Sequence, residues 1–329
     1  MKQYENVLLV TGGAGFIGSA FLRMLVPKYS NWYFINLDAL TYAGDLRKVE
    51  SIQDYENYVF FHGNICDRTL VEGLFDKYKI NIVVNFAAES HVDNSIKDAD
   101  SFIETNIKGT YILLDAAKDK WGYNGTNKSY ENYRFLQIST DEVYGSLGAN
   151  DEPWTEESIL SPNSPYSASK AAAELLARSY FKTFGLPIIF SRSSNNFGPY
   201  QNEEKFIPTI IRSILFNRDI PVYGQGLNIR DWIYVEDNII ALELILTKGR
   251  IGEIYNIGGD NEVSNLDLAN SLINITNSTS RIKYVNDRLG HDFRYSIDSR
   301  KIRELDWKLV KEFNQQLIET VEFYRSTIK

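Results

Sequence analysis

A single cysteine, Cys66, stands among 329 residues, so no disulfide can form within the chain. The three histidines, His62, His91 and His291, lie far apart, and no Cys/His cluster has metal-ligand spacing. A structural zinc is excluded and no metal is expected. No apolar run approaches the roughly 18 residues needed to cross a bilayer. The opening MKQYENVLLVTGG meets glycines before any leader-like apolar stretch forms. The expected location is the cytoplasm. A basic excess is missing too: 35 Lys and Arg against 43 Asp and Glu give a net charge of −8. That balance argues against nucleic-acid or anionic-membrane partners. It leaves room for a local cationic pocket and an anionic small molecule. There is no internal repeat and no low-complexity tract. What the chain has in quantity is apolar surface, 43% hydrophobic residues against 24% charged. It is ordered and globular, as one large domain or two ordinary ones.

The first half alternates short apolar runs with helical patterns. Strands are expected at 6–11, 32–37, 59–62, 80–86, 135–139 and 186–191, with helices at 18–25, 69–78, 99–121 and 167–184. Apolar runs without alternation imply burial on both faces. The strand–helix–strand order implies an α/β fold with a doubly wound parallel sheet, a Rossmann-type domain over 1–191. From about 192 segments shorten and Gly and Pro recur, as in GPYQ and IPVYGQG. Helices at 205–217 and 265–275 fall here. A smaller α+β domain is expected over 192–329, with a stretch near 231–258 returning to the first domain. Residues 118–134, KDKWGYNGTNKSYENYR, read as a polar loop.

Three motifs carry chemistry. The first strand runs into TGGAGFIGS, with Gly12, Gly15 and Gly18 at a helix start. Glycines there permit a tight turn and close approach of a pyrophosphate, and the helix N-terminus supplies N–H groups and positive dipole. Asp38 ends the second strand twenty residues after Gly18. Its carboxylate suits ribose hydroxyls and repels a 2′-phosphate, which favours NAD over NADP. The second motif is Tyr166 and Lys170 in PYSASKAAA, four apart and on one helix face. An ammonium beside a phenol lowers its pKa and makes Tyr166 a candidate base during hydride transfer. The third is Thr140, Asp141 and Glu142 in ISTDEVYG, at the carboxyl end of a strand, where ligands bind in open parallel sheets. Alcohol oxidation needs no such pair. Two adjacent carboxyls allow one to act as base while its neighbour stays protonated as acid. An acidic turn capping a helix is the plainer alternative.

Taken together these motifs resemble the extended short-chain dehydrogenase/reductase superfamily acting on nucleotide sugars. More narrowly, the chain is similar to the dTDP-glucose 4,6-dehydratase family. The resemblance rests on TGGAGFIGS (11–19), LDALTYAG (37–44), AAESHVDNSI (87–96), ISTDEVYG (138–145), SPYSASKAA (164–172), NNFGPYQ (195–201), EKFIP (204–208), NIRDWIYVEDN (228–238), YNIGGDNE (255–262) and GHDFRYSID (290–298). It implies C4 oxidation of the sugar with Tyr166, Lys170 and Thr140 on the 4-hydroxyl. Glu142 then removes the C5 proton, Asp141 protonates the departing 6-hydroxyl, and hydride returns to C6 from a recycled NAD.

The same resemblance implies cofactor contacts from Phe16, Ile17, Asp38, Ala39, Leu40, Thr41, Asn64, Ile65, Phe86, Ala87, Ala88, Glu89, Ser90, Thr105, Tyr166, Lys170 and Asn196. It implies dTDP-glucose contacts from Ser90, Thr140, Asn195, Lys205, Phe206, Pro221, Val222, Tyr223, Arg230, Asn265, Asp287, Arg288, Leu289, Gly290 and His291. Lys205, Arg230 and Arg288 would offset a diphosphate, and Tyr223 would pack on the base. A homodimer joined through helices 99–121 and 167–184 is also implied. The chain departs from the family pattern at Asn64, usually Asp, at Asn94, usually Arg, and at Leu289, usually Pro. Three alternatives stay open: a 4-epimerase with no use for Asp141 and Glu142, a dehydratase for another nucleotide base, and a non-catalytic NAD sensor.

Overall fold

The computed structural model describes residues 3–122 and 132–327. Most of the polar loop expected over 118–134 lies outside the described residues, and Lys120 still belongs to a helix.

Seven parallel strands form the central sheet. They are β1 (Asn6–Thr11), β2 (Trp32–Asp38), β3 (Tyr58–His62), β4 (Ile82–Asn85), β5 (Arg134–Thr140), β6 (Ile188–Ser193) and, much later, a strand at Ile254–Ile257. Their spatial order is Ile254–Ile257, β6, β5, β4, β1, β2, β3. The order reverses beside β1, which opens a crevice at the carboxyl ends there. Register aligns those ends: Thr11 stands opposite Asn85 and Leu37, and Thr140 opposite Ser193. Side chains alternate between two buried layers. Leu8 and Val10 join Phe21, Leu22 and Leu25 of the helix Phe16–Lys28 on one face, with Ile239 and Leu242 of the helix Val235–Lys248. Leu9 joins Val71, Leu113 and Ala177 on the other face. Burial of both faces is why these strands read as continuous apolar runs.

The second half returns to this sheet through Val235–Lys248 and Ile254–Ile257. The rest of it has a separate core in which Phe197, Ile210, Val222, Trp232, Leu268 and Leu317 pack together. There β7 (Asn195–Phe197) pairs with β9 (Ile229–Tyr234), and β8 (Ile220–Tyr223) pairs with a strand at Ile282–Val285.

One expected helix is not continuous. The segment expected at 99–121 is α-helical at Asp100–Phe102, a π-helix at Ile103–Gly109 and α-helical again at Thr110–Lys120. The wider turn brings Asn106 inward, where its Oδ1 accepts from the Glu89 N–H at 2.8 Å and its Nδ2 donates to the Glu89 carbonyl and to Ser169. Such bulges concentrate at functional sites. Here the bulge pins the segment after β4 against the helix Pro165–Phe184.

Candidate active site

The sheet's carboxyl edge and the small lobe enclose a cavity of about 300 Å³. Gly12, Gly15, Phe16, Ile17 and Gly18 form one wall. Gly12 has φ +68°, and a Cβ there would lie 2.7 Å from the Ala87 nitrogen. A Cβ on Gly18 would meet the Gly12 carbonyl at 2.3 Å. Both glycines are demanded by the fold. Gly15 is different: a Cβ meets only the Gly12 carbonyl, at 3.1 Å. It is also the N-cap of the helix Phe16–Lys28 and offers no side chain to the first-turn N–H groups. That leaves a dipole-bearing helix start bare at the cavity, which fits a diphosphate.

Asp38, buried at the end of β2, holds the turn in shape. Its Oδ2 accepts from the Ala14 N–H and its Oδ1 from the Leu40 N–H, each at 2.8 Å. Ala39, Thr41, Asn64, Ile65, Phe86–Ser90, Thr105 and Asn196 line the same cavity. Leu40 does not. It turns through a left-handed conformation, φ 49°, and contributes its N–H to Asp38 rather than a wall. Asn64 makes a tight turn, its Oδ1 accepting from the Cys66 N–H at 2.9 Å.

The helix Pro165–Phe184 begins with proline and is capped by a reciprocal Ser164–Ser167 box. This fixes Tyr166 and Lys170 on the cavity side of its first turns, both buried. Thr140 ends β5, and its hydroxyl serves three groups. It accepts from the Glu142 N–H at 3.3 Å, lies 3.2 Å from Asp141 Oδ1 and bonds Tyr166. Asp141 Oδ2 is buried with no hydrogen-bond partner.

Electrostatics separate the two carboxyls. Burial, the neighbouring Glu142 charge and Asp231 push Asp141 well above the usual carboxylate range. Burial raises Glu142 as well, but Arg230, Lys205 and Arg288 all oppose that rise. Both carboxyls are raised, Asp141 the more strongly, so Asp141 holds a proton more readily than Glu142 does. Burial brings Lys170 down to about 8, with Glu174 opposing, and its Nζ donates to the Ile138 carbonyl at 2.7 Å. Tyr166 behaves differently from the expectation that Lys170 lowers it. Burial and then the Glu142 and Asp141 charges drive it upward, against the Thr140 hydrogen bond. Desolvation and two neighbouring carboxyls act on the phenol, and the Lys170 ammonium is turned toward a carbonyl.

The residues expected around a nucleotide divide into two groups. Ser90, Thr140, Asn195 and Lys205 line the cavity, and Lys205 Nζ donates to the Ser90 carbonyl at 2.9 Å. Phe206, Pro221, Val222, Tyr223, Arg230, Asn265, Asp287, Arg288, Leu289, Gly290 and His291 are not on its wall but on the small lobe beside it. Val222 is core and Phe206 stacks on Trp232. Arg230 donates to the Asp292 carbonyl at 2.9 Å under the Tyr295 ring. Arg288 lies over the Tyr223 ring at 5.1 Å, and Tyr223 meets His291 edge-on. Asp287 pairs with His291 at 2.6 Å. Asn265 opens the helix Asn265–Thr276. Leu289 is 78% exposed, and Gly290 has φ 62°. Sequence reasoning missed Ser193, Ser194, Ala43, Gly44, Gln201 and Asn202, which also line the cavity. Ser193 ends β6, so the strand-end rule could have found it.

The family model described as GDP-mannose 4,6 dehydratase matches residues 9–320. The chain belongs to that family. It is 46% identical to a dTDP-glucose 4,6-dehydratase of Salmonella typhimurium, over 96% of this chain and 92% of the relative. The crystal structure of dTDP-glucose 4,6-dehydratase from Bacillus anthracis, in complex with NAD, superposes with a TM-score of 0.88 at 44% identity, covering 98% of this chain and 97% of the other. A UDP-glucose 4-epimerase of Thermotoga maritima, solved with UDP-glucose, also reaches 0.88, at 27% identity over 98% and 100%. Fold alone does not separate dehydratase from epimerase; the residues in the cavity must.

Proposed function

We propose that this protein converts dTDP-glucose to dTDP-4-keto-6-deoxy-glucose with a bound, recycled NAD. The observation that carries the proposal is the Asp141–Glu142 pair, unequally raised by its surroundings, in the same cavity as Tyr166 and Lys170. The NAD-bearing relative and the bare helix start above Asp38 support the cofactor assignment.

NAD bound there would supply the oxidant for C4 and the hydride returned to C6, and its oxidised form would bring a positive charge into the cavity. Tyr166, once ionised, takes the 4-hydroxyl proton and Thr140 holds the same oxygen, with the positive charges of the oxidised cofactor and of Lys170, one turn along the helix, favouring the phenolate. The 4-ketone acidifies the C5 proton, which Glu142 removes. Asp141 gives its proton to the departing 6-hydroxyl, and water leaves. As C6 is reduced, Glu142 returns its proton to C5, Tyr166 sheds the 4-hydroxyl proton to solvent and Asp141 takes one back, which resets the site. Lys205, Arg230 and Arg288 act on the diphosphate, with Ser90, Asn195 and the 221–223 and 287–291 segments around the nucleotide. In this arrangement residues 1–191 and the returning 231–258 stretch hold the cofactor, and the rest of 192–329 holds the sugar nucleotide. A homodimer is part of the proposal. Ile103, Tyr111 and Leu175, on the two helical segments expected to meet a partner, are 53%, 40% and 54% exposed. Among the described residues no helix is long and apolar enough to cross a membrane; a cytoplasmic location is part of the proposal.

The test is incubation of purified protein with dTDP-glucose and no added NAD, followed by mass and NMR analysis. Loss of one water to a 4-keto-6-deoxy product is the expected result. Dehydration of UDP-glucose instead would move the error to base recognition. A galactose product would mean epimerisation and would remove the role given to Asp141 and Glu142.

A further inference from the structure

Lys48 is a buried lysine that the reaction above does not use. It lies in the short 3-10 helix Leu46–Ile52, 8% exposed. Its Nζ donates to two different parts of the chain. One is the Ala43 carbonyl, at 2.9 Å, in the loop that follows Asp38. The other is Asn202 Oδ1, at 2.9 Å, in the loop that leads to Lys205. Ala43 and Asn202 both line the cavity, from opposite lobes. Arg23 supports the arrangement by donating to the Lys48 carbonyl at 2.6 Å while lying over the Tyr200 ring at 4.3 Å. Asp45, Asp38 and Glu204 face the ammonium and favour its charge, whereas burial and Arg23 oppose it.

We propose that Lys48 is a positioning residue: it straps the loop after Asp38 to the loop before Lys205, closing the cavity over the bound dinucleotide and retaining it between turnovers. The proposal rests on the functional assignment above. An enzyme that regenerates its cofactor in every cycle gains from slow cofactor release, and a charge-assisted bond between lobes is a direct means to it.

The experiment measures dinucleotide released per subunit over time, by gel filtration and chromatography, for wild type, K48M, N202A and the double variant. Unfolding temperatures are recorded alongside. K48M should release dinucleotide at least about tenfold faster, the scale of one lost hydrogen bond to a charged group. Its kcat with dTDP-glucose and saturating NAD should stay within about twofold of wild type. N202A should also release faster, and the double variant should be no faster than K48M, because both changes cut one bond. Should K48M fail to fold, N202A decides. Wild-type retention in either variant, or fully additive effects, overturns the strap alone. Wild-type protein that binds no dinucleotide overturns both the strap and the functional assignment.

Discussion

Gly12 and Gly15 stand three residues apart in one turn, yet alanine at the two positions should do different things. At Gly12 alanine would have to sit at φ +68° with its Cβ 2.7–2.9 Å from backbone atoms of Phe86 and Ala87. The left-handed conformation costs a non-glycine residue about 1–2 kcal/mol. Forcing a methyl against rigid backbone adds about 1–3 kcal/mol. Gly12→Ala should therefore lower stability by about 2–5 kcal/mol. At Gly15 the backbone is already in an allowed extended conformation, and the methyl meets one carbonyl at 3.1 Å, relieved by a small shift. Stability should change by no more than about 1 kcal/mol, the range of glycine-to-alanine effects at compatible sites. The methyl would, however, stand at the bare helix start where a diphosphate must approach. Loss of one hydrogen bond to a charged group, about 1.5–3 kcal/mol, weakens binding about 10- to 150-fold. Urea unfolding and calorimetric titration of NAD into stripped protein separate the two quantities. A Gly15→Ala protein that binds NAD as wild type does, or a Gly12→Ala protein as stable as Gly15→Ala, would refute the reasoning.

Glu142→Gln and Asp141→Asn should each slow dehydration about 10²- to 10⁴-fold, the scale of a lost acid or base. Glu142→Gln should leave the near-ultraviolet absorbance of reduced nicotinamide persisting after substrate is added; water loss at the wild-type rate in either variant would sink the assignment. Lys170 is depressed by burial from 10.5 to about 8, so its buried charge weakens the fold at neutral pH. Between about pH 8 and 10.5 the unfolded chain binds the extra proton, and wild-type stability should gain about 3 kcal/mol over that window. Lys170→Met should lack the gain, which parallel denaturation series of the two proteins would detect as a changing difference. Arg192 and Glu174 form a buried ion pair, 3% and 4% exposed, with Arg192 also donating to Tyr144 at 2.6 Å. Arg192→Met strands the Glu174 carboxylate and should cost about 3–5 kcal/mol in urea unfolding, whereas adding Glu174→Gln should recover most of it.

The sheet was legible because its strands are buried on both faces. NVLLVT and WYFINL match β1 and β2 to within a residue, since most of their residues are buried on both faces. The break in the 99–121 helix was not legible. Its cause is long-range: Asn106 is drawn to Glu89 and Ser169, and no local periodicity encodes those partners. In the cavity, the glycine turn, Asp38, the 140–142 turn and the Tyr166–Lys170 pair could be located because each is set by a strand end or a helix start. Their mutual electrostatics could not. Spacing places Lys170 beside Tyr166, but only the packed structure turns its ammonium to the Ile138 carbonyl and brings two carboxyls to bear on the phenol. Lys48 was invisible for a similar reason. A lysine in a polar stretch looks like a solvated charge until the fold brings Asn202 against it, 154 positions away.

The same logic says where specificity for elimination resides. A dehydratase and an epimerase superpose on this chain equally well, at a TM-score of 0.88 each. Both reactions begin with oxidation at C4, so Tyr166, Lys170 and the dinucleotide cradle cannot distinguish them. What elimination adds is a base for C5 and an acid for the C6 hydroxyl, here sought in two carboxyls of unequal proton affinity within one short turn. Adjacent carboxyls in equivalent surroundings would share a proton and do neither task well. Here the surroundings are unequal. Asp141 is buried, with one oxygen lacking any partner, and the Glu142 and Asp231 charges add to the rise that burial causes. Glu142 lines the same cavity but feels Arg230, Lys205 and Arg288, which oppose its rise. Those three cations would also neutralise a substrate diphosphate, so their pull on Glu142 should weaken once the diphosphate is bound. Under the proposed function its basicity would then rise when there is a C5 proton to remove, and nucleotide binding and base strength would be linked through the same three side chains.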